Sequence, residues 1–271
     1  MDNYSFRELN QMEKLKLYWL AFNVSLQAKF EYRVDFILGV VTACMKQLSS
    51  LAFLWVIFHQ TPGLNGWTAD EVILLFGMCS AALGLSELFF NHIWMVPSYI
   101  VMGDLDRLLT YPVDSLYFLL VTRPELHSFG NVGVGLTLSF ISLSRLHAPG
   151  YAWVLALLLI VVGCLIYTAA LVIFSSISFK FIGPTSMHLM IPHSLLQATQ
   201  YPLSIYPGWI QYFLLFILPY GVFHYVPVGV LFGKGLEPWF ILAAPLAVLL
   251  FLLEARLVWQ WGINQYESTG S

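Results

Sequence analysis

Five long apolar stretches divide this chain, at about 36–58, 71–95, 124–144, 151–178 and 239–259, each with room to cross roughly 30 Å of hydrocarbon as a helix. Ahead of them, residues 4–31 alternate charge with Leu17, Trp19, Leu20, Phe22, Val24, Leu26 and Phe30, which predicts an elbow helix lying in the headgroup region. The interval 181–233 divides differently. Phe181 to Tyr201 is moderately polar, with Thr185, His188, His193 and Gln197, whereas Trp209 to Phe232 is more apolar and broken by Pro219 and Pro227. In one reading the first piece spans beside a cavity and the second forms re-entrant half-helices on the outer side. In the other the roles reverse and the first piece stays cytoplasmic or interfacial. Both readings give an all-α integral membrane protein with six spans and both termini on one side.

Lys and Arg choose that side, because short cytoplasmic loops are enriched in them. Arg7, Lys14, Lys16, Lys29, Arg33, Arg107, Arg123, Lys180 and Arg256 fall on the side of the termini, against Arg145 and Lys234 on the other. The termini are therefore expected in the cytoplasm. Indoles favour the interface, so Trp55, Trp67, Trp153 and Trp239 are expected at the outer surface and Trp94, Trp259 and Trp261 at the inner one.

Composition agrees with a membrane protein: 59% of residues are hydrophobic and only 10% charged, against about 25% charged in soluble domains. The 271 residues are used up by six spans and short loops, which predicts one transmembrane unit over 1–271 and no second globular domain. A net charge of −3 without a basic stripe argues against a nucleic-acid partner. Lys29 and the mixed charges before it interrupt any signal-peptide core. Cys44, Cys79 and Cys164 each sit in an apolar run and read as packing residues. No internal repeat is evident, which disfavours inverted-repeat carriers.

Catalytic signatures are scarce. Gly229 to Gly235 approaches a phosphate-binding loop, but its glycine spacing is one residue short and Gly235 stands where Ser or Thr is needed. No zinc-binding His-Glu-x-x-His helix and no nucleophile elbow occurs. His188 and His193, five apart, do not share the i, i+4 face of a metal pair and read as packing or pathway-lining residues beside Gln197. The chain is expected to be no enzyme and to need no cofactor or metal.

Lys46 and Glu87 lie inside the first two spans at a similar depth, about 12 to 16 Å from the cytoplasmic ends, which predicts an interhelical ion pair. Gly77 with Ala81, Ser80 with Gly84, and Gly130, Gly133 and Gly135 would allow close helix approach, within the chain or at a subunit interface.

Between the second and third apolar runs, Gly103 to Val113 is too charged for hydrocarbon and must sit in water at a membrane face. A short helix beginning after Gly103 and ending before Pro112 is predicted, with Asp104 and Asp106 at its positive N-terminal end and Arg107 beyond. Leu105, Leu108 and Leu109 give it an apolar stripe that would dock in a soluble partner.

The pattern Gly103-x-Leu105-Asp106-Arg107-x-Leu109-x-x-Pro112-Val113, with Tyr201-Pro202-Leu203-Ser204-Ile205-Tyr206-Pro207 and a closing Trp261-Gly262-x-x-x-Tyr266-Glu267-Ser268-x-Gly270, resembles the permease subunits of type 2 ATP-binding cassette (ABC) transporters. The resemblance is to the branch whose operons pair two permeases with one ATPase. It implies a tail and elbow helix over 1–32, a cytoplasmic coupling helix within 96–123, outer re-entrant helices over 205–235 and a tail over 260–271, and it favours a fifth span near 181–201. By position, Gly103, Leu105, Asp106, Arg107, Leu109 and Pro112 would face the ATPase. The implied function is export across a bacterial cytoplasmic membrane by a permease dimer, with ATPase chains and a second permease, the same or related, as partners in the lipid bilayer. An amphipathic or lipid-linked substrate suits spans rich in aromatics. Lys46 matches no family role. A gradient-driven carrier or channel using Lys46 and Glu87, or an intramembrane enzyme using His188 or His193, are the other classes open to such a chain.

Overall fold

The computed structural model describes residues 11–266 apart from 32, 62, 112, 181–186, 236 and 238. Its secondary structure is helical apart from an isolated bridge between Leu64 and Trp67. Helix α1 (Gln11–Glu31) precedes the first span, α2 (Arg33–Gln60). A tight loop with Asn65 and Gly66 at positive φ returns the chain into α3 (Ala69–Phe90), whose start is fixed by a capping box. There the Thr68 hydroxyl accepts from the Glu71 amide while the Glu71 carboxylate accepts from the Thr68 amide at 2.8 Å.

A 3₁₀ turn over Asn91–Met95 carries α3 on into α4 (Val96–Met102), with 69–102 counting as one candidate span, and the short helices α5 (Asp104–Leu109) and α6 (Ser115–Val121) follow. Two long spans follow, α7 (Phe129–Arg145) and α8 (Gly150–Ile177). After α9 (Met187–Ala198), the helix pair Gly208–Ile217 and Tyr220–Leu231, which contains α10 (Gly208–Tyr212) and α11 (Tyr225–Leu231), bends by 84°. The last span is α12 (Phe240–Gln265).

By length and composition five helices can cross a membrane, or six if the bent pair counts as one. The number of passes follows from which ends meet. Phe179, just past α8, lies edge-on to Trp259 and Tyr266, so α8 and α12 finish on the same face. The chain between them must therefore make one net crossing. Helix α9 begins it, since its His193 side chain meets mid-helix residues of α2 and α8, and its Leu196 carbonyl accepts from Cys79 in the middle of α3. The bent pair completes the crossing and returns to the start of α12. The interval 181–233 thus divides near Tyr201 into α9 and the bent pair, and a sixth candidate span is reached only when the bent pair counts as one. The face carrying α4 to α6 and the end of α12 is called proximal below, and the other distal.

The centre of the bundle is α3, packed against α7 and α8. Its contact with α7 is made backbone to backbone: a methyl group on Gly77 would lie 2.8 Å from the Gly135 carbonyl oxygen and 2.8 Å from the Ser139 amide. Gly84 meets Val132, and Gly130 meets Val40 and Ala43 of α2, so these small residues pack within the chain. Gly133 faces open space.

Two of the expected interfacial indoles are buried instead. Trp67 is 2% exposed, stacked on Tyr225 with the Lys234 ammonium 5.4 Å above its ring, and Trp259 is 1% exposed against Phe179. In each case an aromatic partner from a neighbouring segment covers the ring. Trp55, Trp239 and Trp261 are exposed.

Candidate functional site

Three polar constellations stand out in this apolar bundle, and the first lies on the proximal face. Gly103 ends α4 and starts α5 with φ of 75°, a left-handed conformation that L side chains rarely adopt. The reversal turns Leu105 and Leu108 into the bundle and leaves Asp104, Asp106 and Arg107 exposed. Leu105 is fully buried, so of the residues expected to face a partner this one faces its own chain, and Leu109 is half-buried. The outward surface is instead made of the charged residues with Val101, Met102 and Tyr111. Thr110 closes the helix, donating from Oγ1 to the Arg107 carbonyl at 2.7 Å, and Pro112 lies outside the described residues.

This segment is bound to both the second and the last span. Asp114 caps α6, accepting from the Leu116 and Tyr117 amides at 3.0 and 3.2 Å. The same carboxylate receives both terminal nitrogens of Arg256 of α12, Nη1 at 3.0 Å, and the guanidinium lies 6.0 Å over the Tyr117 ring. Burial alone would raise the Asp114 carboxyl, but Arg256 and the two amides outweigh it and hold it below the ordinary carboxylate range. Beyond α12, burial and then the neighbouring Asp106 carboxylate hold the Tyr266 phenol above its usual range.

On the α3 side, His92 bonds Thr122 Oγ1 through Nδ1 at 2.6 Å and the Tyr99 hydroxyl through Nε2 at 2.7 Å. Thr122 gives its proton to the Phe118 carbonyl, so it accepts from Nδ1–H, and Nε2 accepts from Tyr99. One neutral tautomer thus ties the end of α3 to α4 and α6.

The second constellation runs through the middle of the bundle. Ser80 donates to Gln47, Gln47 to Asn131 at 3.1 Å, and Asn131 to Glu87 at 2.8 Å, while Ser128 donates to the same carboxylate oxygen at 2.9 Å. Every link has a donor and an acceptor, the condition under which a polar chain is tolerated in hydrocarbon.

The ion pair expected between Lys46 and Glu87 is not formed. Adjacent residues on a helix point about 100° apart; Gln47 faces α3 and α7, and Lys46 faces α9. The Lys46 Nζ lies 3.5 Å from His193 Nε2, on which the Gln197 amide also converges at 2.8 Å. With two donors aimed at Nε2, the ring proton belongs on Nδ1, directed at the Tyr167 hydroxyl 3.3 Å away. Of the residues expected to line a pathway, His193 and Gln197 meet here, and the side chain of His188 lies outside the described part of the structure.

The third constellation clamps the distal face. Lys234 pairs with Glu71 at 2.7 Å and donates to the Gly66 carbonyl, joining the segment after α11 to the start of α3. Near it, an apolar cleft of about 420 Å³ opens between the bent pair and α12, lined by Phe216, Pro219, Val226, Leu250 and Glu254.

The sequence reading passed over Gln47, His92, Asn131, Tyr167 and Arg256. Polarity inside an apolar run was the available signal for the first three; Tyr167 carries no such mark, and Arg256 was read only as a topology charge. Among the described residues no group of His, Cys, Asp and Glu is arranged to hold a metal.

Comparison with curated proteins and with solved structures finds no match. A family model described as ABC-2 family transporter protein matches residues 44–270, which takes in the polar chain, the proximal segment, the bent pair and α12. A multi-pass helical bundle matched over most of its length in this way belongs to the ABC-2 family of transporter proteins.

Proposed function

We propose that this chain, the membrane subunit of an ABC transporter, works as one of two permeases in an exporter, with α5 as the coupling helix contacted by a separate ATPase. The proximal face is then cytoplasmic and carries both termini, α1 is the elbow at a bacterial cytoplasmic membrane, and ATP hydrolysis belongs to the partner rather than to this chain. One observation supports the reading above others. Helix α5 roots two leucines in the bundle, presents Asp104, Asp106 and Arg107 outward, and continues into a segment bonded to α12 through Asp114 and Arg256. A partner that presses differently on those charges in two states would bias the position of a span, which is what coupling requires. The substrate in this reading is amphipathic or lipid-linked, and Lys46, His193 and Gln197 form a polar patch along its path.

Purification of the chain in mild detergent from its native host, beside an Asp106→Ala, Arg107→Ala variant, tests the assignment. An ATPase should accompany the parent and be depleted from the variant. Equal recovery with both would remove α5 from the interface, and no ATPase with either would remove the coupling reading altogether.

The contact of Lys46 with His193 favours a second reading, a gradient-driven carrier that uses this cation as an ion relay. It requires transport by the purified chain in proteoliposomes under an ion gradient, without ATP.

A further inference from the structure

Between α1 and the α4 to α6 segment lies an open cleft of about 530 Å³. Leu17, Leu20 and Val24 of α1 supply an apolar wall, and Arg107 of α5 and Arg123 after α6 line it too, with Asp104 as the one carboxylate on its lining among the described residues. Among the described residues no carboxylate lies within 4 Å of either guanidinium. Two cations against one anion leave a net charge of +1 beside an apolar wall, at the level where the spans end.

We propose that this cleft binds the headgroup of an anionic phospholipid from the leaflet on the proximal face. A phosphodiester matches the planar fork of a guanidinium, and two of them can share one headgroup. The volume falls within the range of small-molecule sites, roughly 300–1,000 Å³. The wall decides between a lipid and an acidic protein loop. Leu20 and Val24 are 64% and 58% exposed, and such a surface suits a glycerol backbone and acyl chains better than hydrated carboxylates. A zwitterionic lipid fits less well, because its ammonium group would meet the arginines with like charge. Since Arg107 and Asp104 belong to α5, occupancy of the cleft would also fix α5 against α1. The inference rests on the cleft and on the chain being a membrane protein; it shares Arg107 with the surface proposed for the ATPase, whereas Arg123 belongs to the cleft alone.

The test is native mass spectrometry of the purified full chain, released from nanodiscs holding equal amounts of phosphatidylglycerol and phosphatidylcholine with matched acyl chains. The parent should retain phosphatidylglycerol preferentially. Arg123→Gln should weaken that retention about fivefold, as expected for one arginine at a charged membrane surface, and Arg107→Gln with Arg123→Gln should weaken it further. Leu20→Asn should also lower it, whereas Arg145→Gln on the distal face should behave as the parent. No preference in the parent overturns the proposal whatever the variants do. So does an Arg123→Gln protein that keeps the lipid as the parent does, or one that keeps it but loses a co-purifying protein, which would assign the arginines to a protein partner.

Discussion

Helices α3 and α8 at the centre of the bundle are built differently from α2 and α12 at its edge. Within their apolar stretches, 78% and 61% of residues around α3 and in α8 are buried inside the chain, against 17% in α2 and 28% in α12. The central pair is held by glycine contacts and closed hydrogen-bond chains. The edge pair displays Val34, Ile37, Leu38, Met45 and Leu48 on α2, and Leu246, Leu249, Leu253 and Leu257 on α12. It also carries Lys46 and Glu254, both exposed in mid-helix. The centre therefore behaves as a scaffold the chain completes by itself, whereas the edge depends on lipid or a neighbouring subunit to cover it. Exposed mid-span charge belongs where something else completes the structure.

Substitution in the α3–α7 seam gives the largest expected effect. Gly135→Val would drive a side chain into the backbone of Ala81 and Gly77 and should cost about 3 kcal/mol or more of stability, seen as loss of folded protein in thermal scanning. Gly133→Val, two residues away and facing open space, should leave the midpoint nearly unchanged. Equal effects from the two would erase the distinction between centre and edge.

Asn131→Ala comes next, since it deprives Glu87 of one donor and leaves the Gln47 amide unpaired, at a cost of about 1–2 kcal/mol. A parent-like melting profile would mean that the polar chain orients the helices without stabilising them.

Arg256→Met on α12 should cost about 1 kcal/mol, because the pair with Asp114 is partly exposed and screened. The pH dependence has a fixed sign. A carboxyl held below its ordinary range stabilises the fold above that range, and the contribution is lost as the pH falls through the lowered value. The parent should lose stability on acidification there, and Arg256→Met should lose less. A variant as acid-sensitive as the parent would remove Asp114 as the cause.

The smallest effect sharpens the comparison most. Leu249→Ala on the outward side of α12 should shift stability by no more than about 0.5 kcal/mol if lipid covers it. A larger loss, accompanied by a change in oligomeric state, would show that a second subunit packs there.

Much of this was legible in the chain. Long apolar runs gave the spans because hydrocarbon thickness sets their length, and Gly103 with the aspartates after it gave α5 because backbone conformation and helix polarity act locally. What periodicity alone left open was the rotation of each span about its axis. Counting residues gives the position of Lys46 and Glu87 along their helices but not their azimuth, which depends on packing against α7 and α9, and the expected pair does not form. Leu105 was read as a docking surface for the same reason: an apolar stripe on a short helix says that something covers it, and here the chain's own core does. The buried Trp67 and Trp259 repeat the lesson, since the pattern marks an indole but not the ring that covers it.

His92, Thr122 and Tyr99 fasten the α4 to α6 segment to the end of α3, and Asp114 with Arg256 fastens it to α12. A crossbar pinned at two points cannot swing about either one alone. A displacement applied at its middle, where α5 stands, would be felt by both helices together, coupling the most buried span to one of the least buried.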